Sequence, residues 1–84
     1  MPVVTVRYFA GARAAAGVPS EKIELDDEAT VADALDVIAG RHGEALSNVL
    51  AACSFLLDSV AVRDRNVLLP SGAELDVLPP FAGG

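Results

Sequence analysis

Apolar and polar positions alternate from the start of the chain. Val4, Val6 and Tyr8 fall on one side of an extended segment and Thr5 and Arg7 on the other, which predicts a strand over Val3 to Phe9. Ala10 to Ala16 is alanine-rich and ends at Gly17, a residue free to take the left-handed geometry of a helix C-cap, with Pro19 barring further helix. One or two helical turns are expected there, then a second strand over Glu21 to Leu25 with Ile23 and Leu25 inward. Beyond Thr30 the apolar spacing changes to that of a helix, with Val31, Leu35 and Ile38 on one stripe. Thr30 and Asp33 have the spacing of a capping box, and Arg41, His42 and Gly43 suit the helix end. A second helical face comes next at Leu46, Val49, Leu50 and Cys53, within a segment from about Glu44 to Ala52.

The remainder is extended. Phe55-Leu56-Leu57 and Val60-Ala61-Val62 read as strands joined at Asp58-Ser59, a turn without the usual glycine. Val67-Leu68-Leu69 is read as an apolar anchor, Pro70-Ser71-Gly72 as a turn, and Glu74 to Leu78 as the last strand. Strands at both ends and helices between them predict an α+β fold, a mixed sheet with helices on one face, in one domain over 1–84. Pairing of the first and last strands as central neighbours would hold the last strand firmly.

The residues after that strand are the most informative in the chain. Pro79 and Pro80 end it, because proline fixes φ and lacks the N–H of a sheet ladder. Phe81, Ala82, Gly83 and Gly84 then close the chain as a projecting tail over 79–84. Two residues without Cβ atoms suit a narrow channel. The carboxylate they present is a weak electrophile, so chemistry at Gly84 requires activation, for example as an acyl-adenylate.

Composition narrows the alternatives. The chain has 84 residues, enough for one small core, and 52% of them are hydrophobic. Twelve acidic residues against six basic ones give a net charge of −6, and no Lys/Arg cluster suits nucleic acid. Neither a membrane span nor a signal peptide is expected, so a cytoplasmic location is predicted. The lone Cys53 continues an apolar stripe and reads as core. His42 reads as a cap residue, and Asp26-Asp27-Glu28 as a solvated loop without the histidine or further carboxylate of a metal or acid–base site.

With these residues placed, the sequence resembles the sulfur-carrier proteins of the β-grasp, ubiquitin-like class, and within it the small subunits of molybdopterin synthase. The resemblance rests on Val6-Arg7-Tyr8-Phe9-Ala10 with Arg13, on Thr30-Val31-Ala32-Asp33-Ala34-Leu35, and above all on Glu74-Leu75-Asp76-Val77-Leu78-Pro79-Pro80-Phe81-Ala82-Gly83-Gly84. Asp58-Ser59 replaces the Asn/Asp-Gly turn often found in that family, and Gly72-Ala73 replaces its Gly-Asp. The resemblance implies a mixed sheet of about five strands and no bound cofactor. It further implies that an ATP-dependent activating enzyme adenylates Gly84 and converts it to a thiocarboxylate. The synthase large subunit would then receive the tail, in an assembly of two small and two large subunits, and sulfur would pass to cyclic pyranopterin monophosphate in molybdenum cofactor synthesis. Pro79, Pro80, Phe81, Ala82 and Gly83 would contact the partner, and the chain would be the carrier subunit of a sulfurtransferase rather than a catalyst alone. Three other readings stay open: sulfur delivery to thiamin, cysteine or tRNA thiolation; a ubiquitin-like modifier joined to lysines through Gly84; and an interaction domain with an inert tail.

Overall fold

The computed structural model describes residues 2–80. Its elements are β1 (Val3–Tyr8), α1 (Ala10–Ala16), β2 (Ser20–Glu24), α2 (Val31–His42), α3 (Glu44–Leu50), β3 (Ser54–Leu57), β4 (Val60–Ala61) and β5 (Glu74–Leu78). The five strands form one sheet in the order β2-β1-β5-β3-β4, in which only the central β1–β5 pair is parallel. First and last strands are therefore central neighbours, which meets the condition under which the last strand is firmly held. This mixed sheet with its helices is the expected β-grasp arrangement.

The period-2 pattern sets the two faces. Val4, Val6, Tyr8, Ile23, Phe55, Leu75 and Val77 are buried in one core together with Ala12 of α1, Val31, Ala34, Leu35 and Ile38 of α2, and Leu46 and Leu50 of α3. Their strand neighbours Arg7, Asp76 and Leu56 stand in register on the opposite face.

Local chemistry fixes the joints. Thr30 and Asp33 form the capping box, with the Asp33 N–H donating to the Thr30 hydroxyl and the Thr30 N–H to the Asp33 carboxylate. The next two N–H groups of the helix, on Val31 and Ala32, donate to the carbonyls of Val67 and Arg65. The segment around residues 64–69 thus straps the start of α2 through its main chain. Of the expected apolar anchor there, only Leu69 is buried, while Val67 and Leu68 stay exposed, because the backbone does the fastening.

Asp58 and Ser59 both take left-handed φ, +48° and +71°. That is the sense of turn that matches strand twist, and it is usually built with glycine. Two bonds to β5 hold it: the Asp58 N–H donates to the Glu74 carbonyl, and the Glu74 N–H to the Asp58 carboxylate. Gly72, at φ +86°, donates to the Val3 carbonyl and delivers the chain into β5 beside β1.

Candidate functional site

β5 is the strand that carries the tail, and the fold holds it on both sides. It pairs with β1 through Thr5↔Glu74 to Tyr8↔Val77 and with β3 through Ser54↔Leu78 to Leu57↔Leu75. Leu75 and Val77 have no exposed surface. Pro79 is half-buried, Pro80 is exposed, and the chain there leaves the sheet. Pro79 and Pro80 thus follow β5 directly, at the place where the sequence reading puts the start of the tail. The predicted Phe81, Ala82, Gly83 and Gly84 lie outside the described residues.

On the face away from the helices, Arg7 and Asp76 make a two-pronged ion pair across the β1–β5 register. Arg7 Nε donates to Asp76 Oδ1 at 2.6 Å and Nη2 donates to Oδ2 at 2.8 Å. Asp76 is the one charged residue that is buried among those described. Its hydrogen bond and charge push the Arg7 pKa further above its ordinary value. The Arg7 guanidinium carbon lies 5.8 Å from the centre of the exposed Phe9 ring, within cation–π range. Phe9 itself donates its N–H to the Val77 carbonyl at 3.2 Å, and its carbonyl accepts the N–H groups of Ala12 and Arg13 in α1.

A second polar cluster ties the same end of the sheet to α2. The Tyr8 hydroxyl donates to Glu21 Oε2 at 2.6 Å, Arg41 Nη1 donates to Oε1 at 2.7 Å, and His42 Nε2 is hydrogen-bonded to Oε2. The Tyr8 and His42 rings meet edge to face at 5.8 Å. Burial and the bond to Glu21 both raise the Tyr8 pKa, so the phenol stays protonated and donates. Burial alone would push the Glu21 carboxyl up, but bonds from Tyr8, His42 and Arg41 outweigh it and hold the carboxyl below its usual value. His42 is therefore a cross-element partner, a larger role than capping its own helix.

The other candidates go where the sequence puts them. Cys53 is buried, its thiol donates to the Val49 carbonyl, and burial pushes its pKa up. Asp26, Asp27 and Glu28 are exposed in a loop. Among the described residues no three His, Cys, Asp or Glu side chains converge as a metal site would require. Sequence reasoning missed the two polar clusters. Arg7 and Asp76 could have been paired had β1 and β5 been taken as parallel neighbours, since both occupy outward positions; Glu21 joins residues 13, 20 and 21 positions away and left no local signal.

Comparison with known proteins gives the family of a chain in which β5, at the centre of a β-grasp sheet, runs into Pro79-Pro80. The sequence profile of the ThiS family matches residues 6–84. The chain belongs to the ThiS family. The molybdopterin synthase sulfur carrier subunit of Drosophila yakuba is 32% identical to this ThiS-family chain over 99% of its length and 94% of the relative. Molybdopterin converting factor, subunit 1, of Pyrococcus furiosus superposes with a TM-score of 0.87 at 30% identity, over 96% of this chain and 100% of that one. The crystal structure of small archaeal modifier protein 1 from Haloferax volcanii also gives a TM-score of 0.87 at 30% identity, covering 98% and 99% of the two chains. The fold is thus shared with solved structures named for a molybdopterin converting factor subunit and for a small archaeal modifier protein.

Proposed function

We propose that this chain is a sulfur carrier that serves molybdopterin synthase and works through its C-terminal carboxylate. The observation that carries the reading is β5, a strand anchored on both sides that runs directly into Pro79-Pro80 and the Gly-Gly end. In the proposed cycle an activating enzyme joins the Gly84 carboxylate to the α-phosphorus of ATP and releases pyrophosphate. A sulfide-level nucleophile then attacks the acyl carbon and AMP departs, leaving a thiocarboxylate. Sulfur, more polarisable than oxygen, attacks an electrophilic carbon of the pterin precursor within the large subunit, and the C–S bond forms as a C–O bond at that carbon breaks and its oxygen leaves protonated. Water cleaves the resulting thioester, which leaves sulfur on the pterin and returns Gly84 as a carboxylate.

The roles along the tail are set by size. Gly84 carries sulfur, Gly83 permits passage through a narrow tunnel, Ala82 keeps the next place small, Phe81 anchors the arm, and Pro79 and Pro80 direct it from the sheet. The acid–base groups come from the partners.

Intact mass after incubation with the activating enzyme and ATP tests this. The expected product gains the mass of one oxygen replaced by sulfur. Deleting Gly84 abolishes the gain, and Gly83→Val blocks it while the fold persists. Full activity of the truncated chain would refute the proposal. The likeness to small archaeal modifier protein 1 favours a second reading, in which the same adenylate is passed to target lysines; stable high-mass conjugates in place of the thiocarboxylate would establish it.

A further inference from the structure

Arg7 offers more than its bond to Asp76 uses. Its Nε and one Nη2 hydrogen are spent on the carboxylate, while Nη1 makes no hydrogen bond among the described residues. The side chain keeps 42% of its surface open, against 7% for Asp76. A guanidinium has five N–H donors in a fixed fork, so three remain available, and the pair with Asp76 prevents the fork from swinging away. Phe9 flanks it on one side.

The position of this fork matters because of the tail's length. The six residues from Pro79 to Gly84 can span at most about 20 Å. If Gly84 is to reach a reaction centre enclosed by another protein, that protein must close around the root of the tail. Arg7 is one strand away from Asp76, and Leu78 is two residues further along β5, which puts the Cα atoms of Arg7 and Leu78 about 8 Å apart. A standard interface covers about 800 Å² per partner, a disc of roughly 16 Å radius. Arg7 falls well inside any such disc centred on the root.

Covering Arg7 has a chemical consequence. Its charge is already balanced by Asp76, so the pair enters an interface without leaving a net charge behind. The unused N–H groups still lose their water, and a donor buried without an acceptor is penalised more than a formed bond is rewarded. We propose that Arg7 is a specificity-determining residue that requires a carbonyl oxygen from the protein receiving the tail. A partner that lacks an acceptor at that place is rejected by the unpaired donors rather than by shape. A carbonyl fits better than a carboxylate because a second negative charge would face Asp76 across one guanidinium. This inference rests on the carrier reading, since that reading brings a partner against the root of the tail.

The test measures Kd of the full-length chain for the synthase large subunit from the same genome, by titration calorimetry, alongside sulfur loading by intact mass. Arg7→Lys keeps the charge that Asp76 needs but lacks the fork. It is expected to weaken binding by about tenfold or more, the scale of one lost bond from a charged donor. The weakening should be the same at low and high salt, as befits a neutral acceptor. Should Arg7→Lys lower thermal stability, the paired change Arg7→Leu with Asp76→Leu replaces the ion pair by apolar side chains. That variant should bind as weakly as Arg7→Lys, because the partner's oxygen then goes unpaired. Wild-type affinity in either variant overturns the inference, and a loss confined to low salt overturns the carbonyl assignment. A wild-type chain that neither binds the large subunit nor gains sulfur removes the carrier reading and this inference together. Wild-type binding and loading with an unaffected Arg7→Lys removes the inference alone.

Discussion

Replacing Glu21 by alanine removes three side-chain hydrogen bonds at once. Its side chain is 13% exposed and accepts bonds from Tyr8, Arg41 and His42. The Arg41 arm is nearly half exposed, so its share is small, about 0–1 kcal/mol. Tyr8 is 2% exposed, and a hydroxyl stranded at such a site costs about 1–3 kcal/mol. With the His42 contact added, Glu21→Ala should lose about 2–4 kcal/mol. An 84-residue domain has roughly 4–13 kcal/mol in all, so the loss is a large fraction, and melting should fall by roughly 10–25 °C. Urea titration of wild type, Glu21→Ala, Tyr8→Phe and the double variant should show coupling of about 0.5 kcal/mol or more. Acid supplies an independent check. The folded Glu21 pKa is held below its unfolded value of about 4.3. Its stabilisation is therefore complete above that unfolded value and is lost as pH falls through the folded one. The stability gap between wild type and Glu21→Gln should be level at neutral pH and shrink in acid. A Glu21→Ala variant within about 0.5 kcal/mol of wild type, or a gap that widens in acid, would refute the reasoning.

Two further outcomes test the frame around the site. Leu46, on α3, has no exposed surface, so Leu46→Ala should cost about 2–5 kcal/mol in urea unfolding. Thr30→Ala removes the hydroxyl that accepts the Asp33 N–H and should cost about 1 kcal/mol in the same assay, with the sheet unchanged by circular dichroism.

The range over which each interaction acts decides how much of the fold and site is legible in the sequence. The capping box at Thr30 and Asp33, the Gly17 cap and the alternation in β1 and β5 are set within a few residues, so pattern and spacing predict them. Strand ends differ by a residue or two, as at β2, which runs Ser20–Glu24 against the expected Glu21 to Leu25. Ladder hydrogen bonds set those ends, and propensity does not see them. Val67 and Leu68 read as side-chain anchors but stay exposed, since hydropathy does not distinguish a packed side chain from a strap held by carbonyls. His42 carries the sharpest lesson. Its place in the last turn of α2 reads as a cap, but its partner is Glu21 on β2, which only the packing of α2 against β1 and β2 brings within reach.

The distribution of the polar side chains bears on what the fold is for. Every hydrogen bond between two side chains among the described residues lies at one end of the sheet: Arg7 with Asp76, and Glu21 with Tyr8, Arg41 and His42. At the opposite end, Val3 and Gly72 are joined through the main chain, and Asp58 reaches only backbone. The ladder and the core already define the topology, so nothing in folding alone requires this asymmetry. The favoured end is where β1 gives way to α1 and β5 to Pro79. There the ladder runs out and the last residues of each strand would otherwise fray. Both clusters include β1, the partner strand of β5, one gripping it from the open face of the sheet and the other from the helical side. On the carrier reading proposed above, in which the tail enters other proteins, a root that does not yield would hold its direction. On that reading, the side-chain bonds stand where such stiffness would be needed.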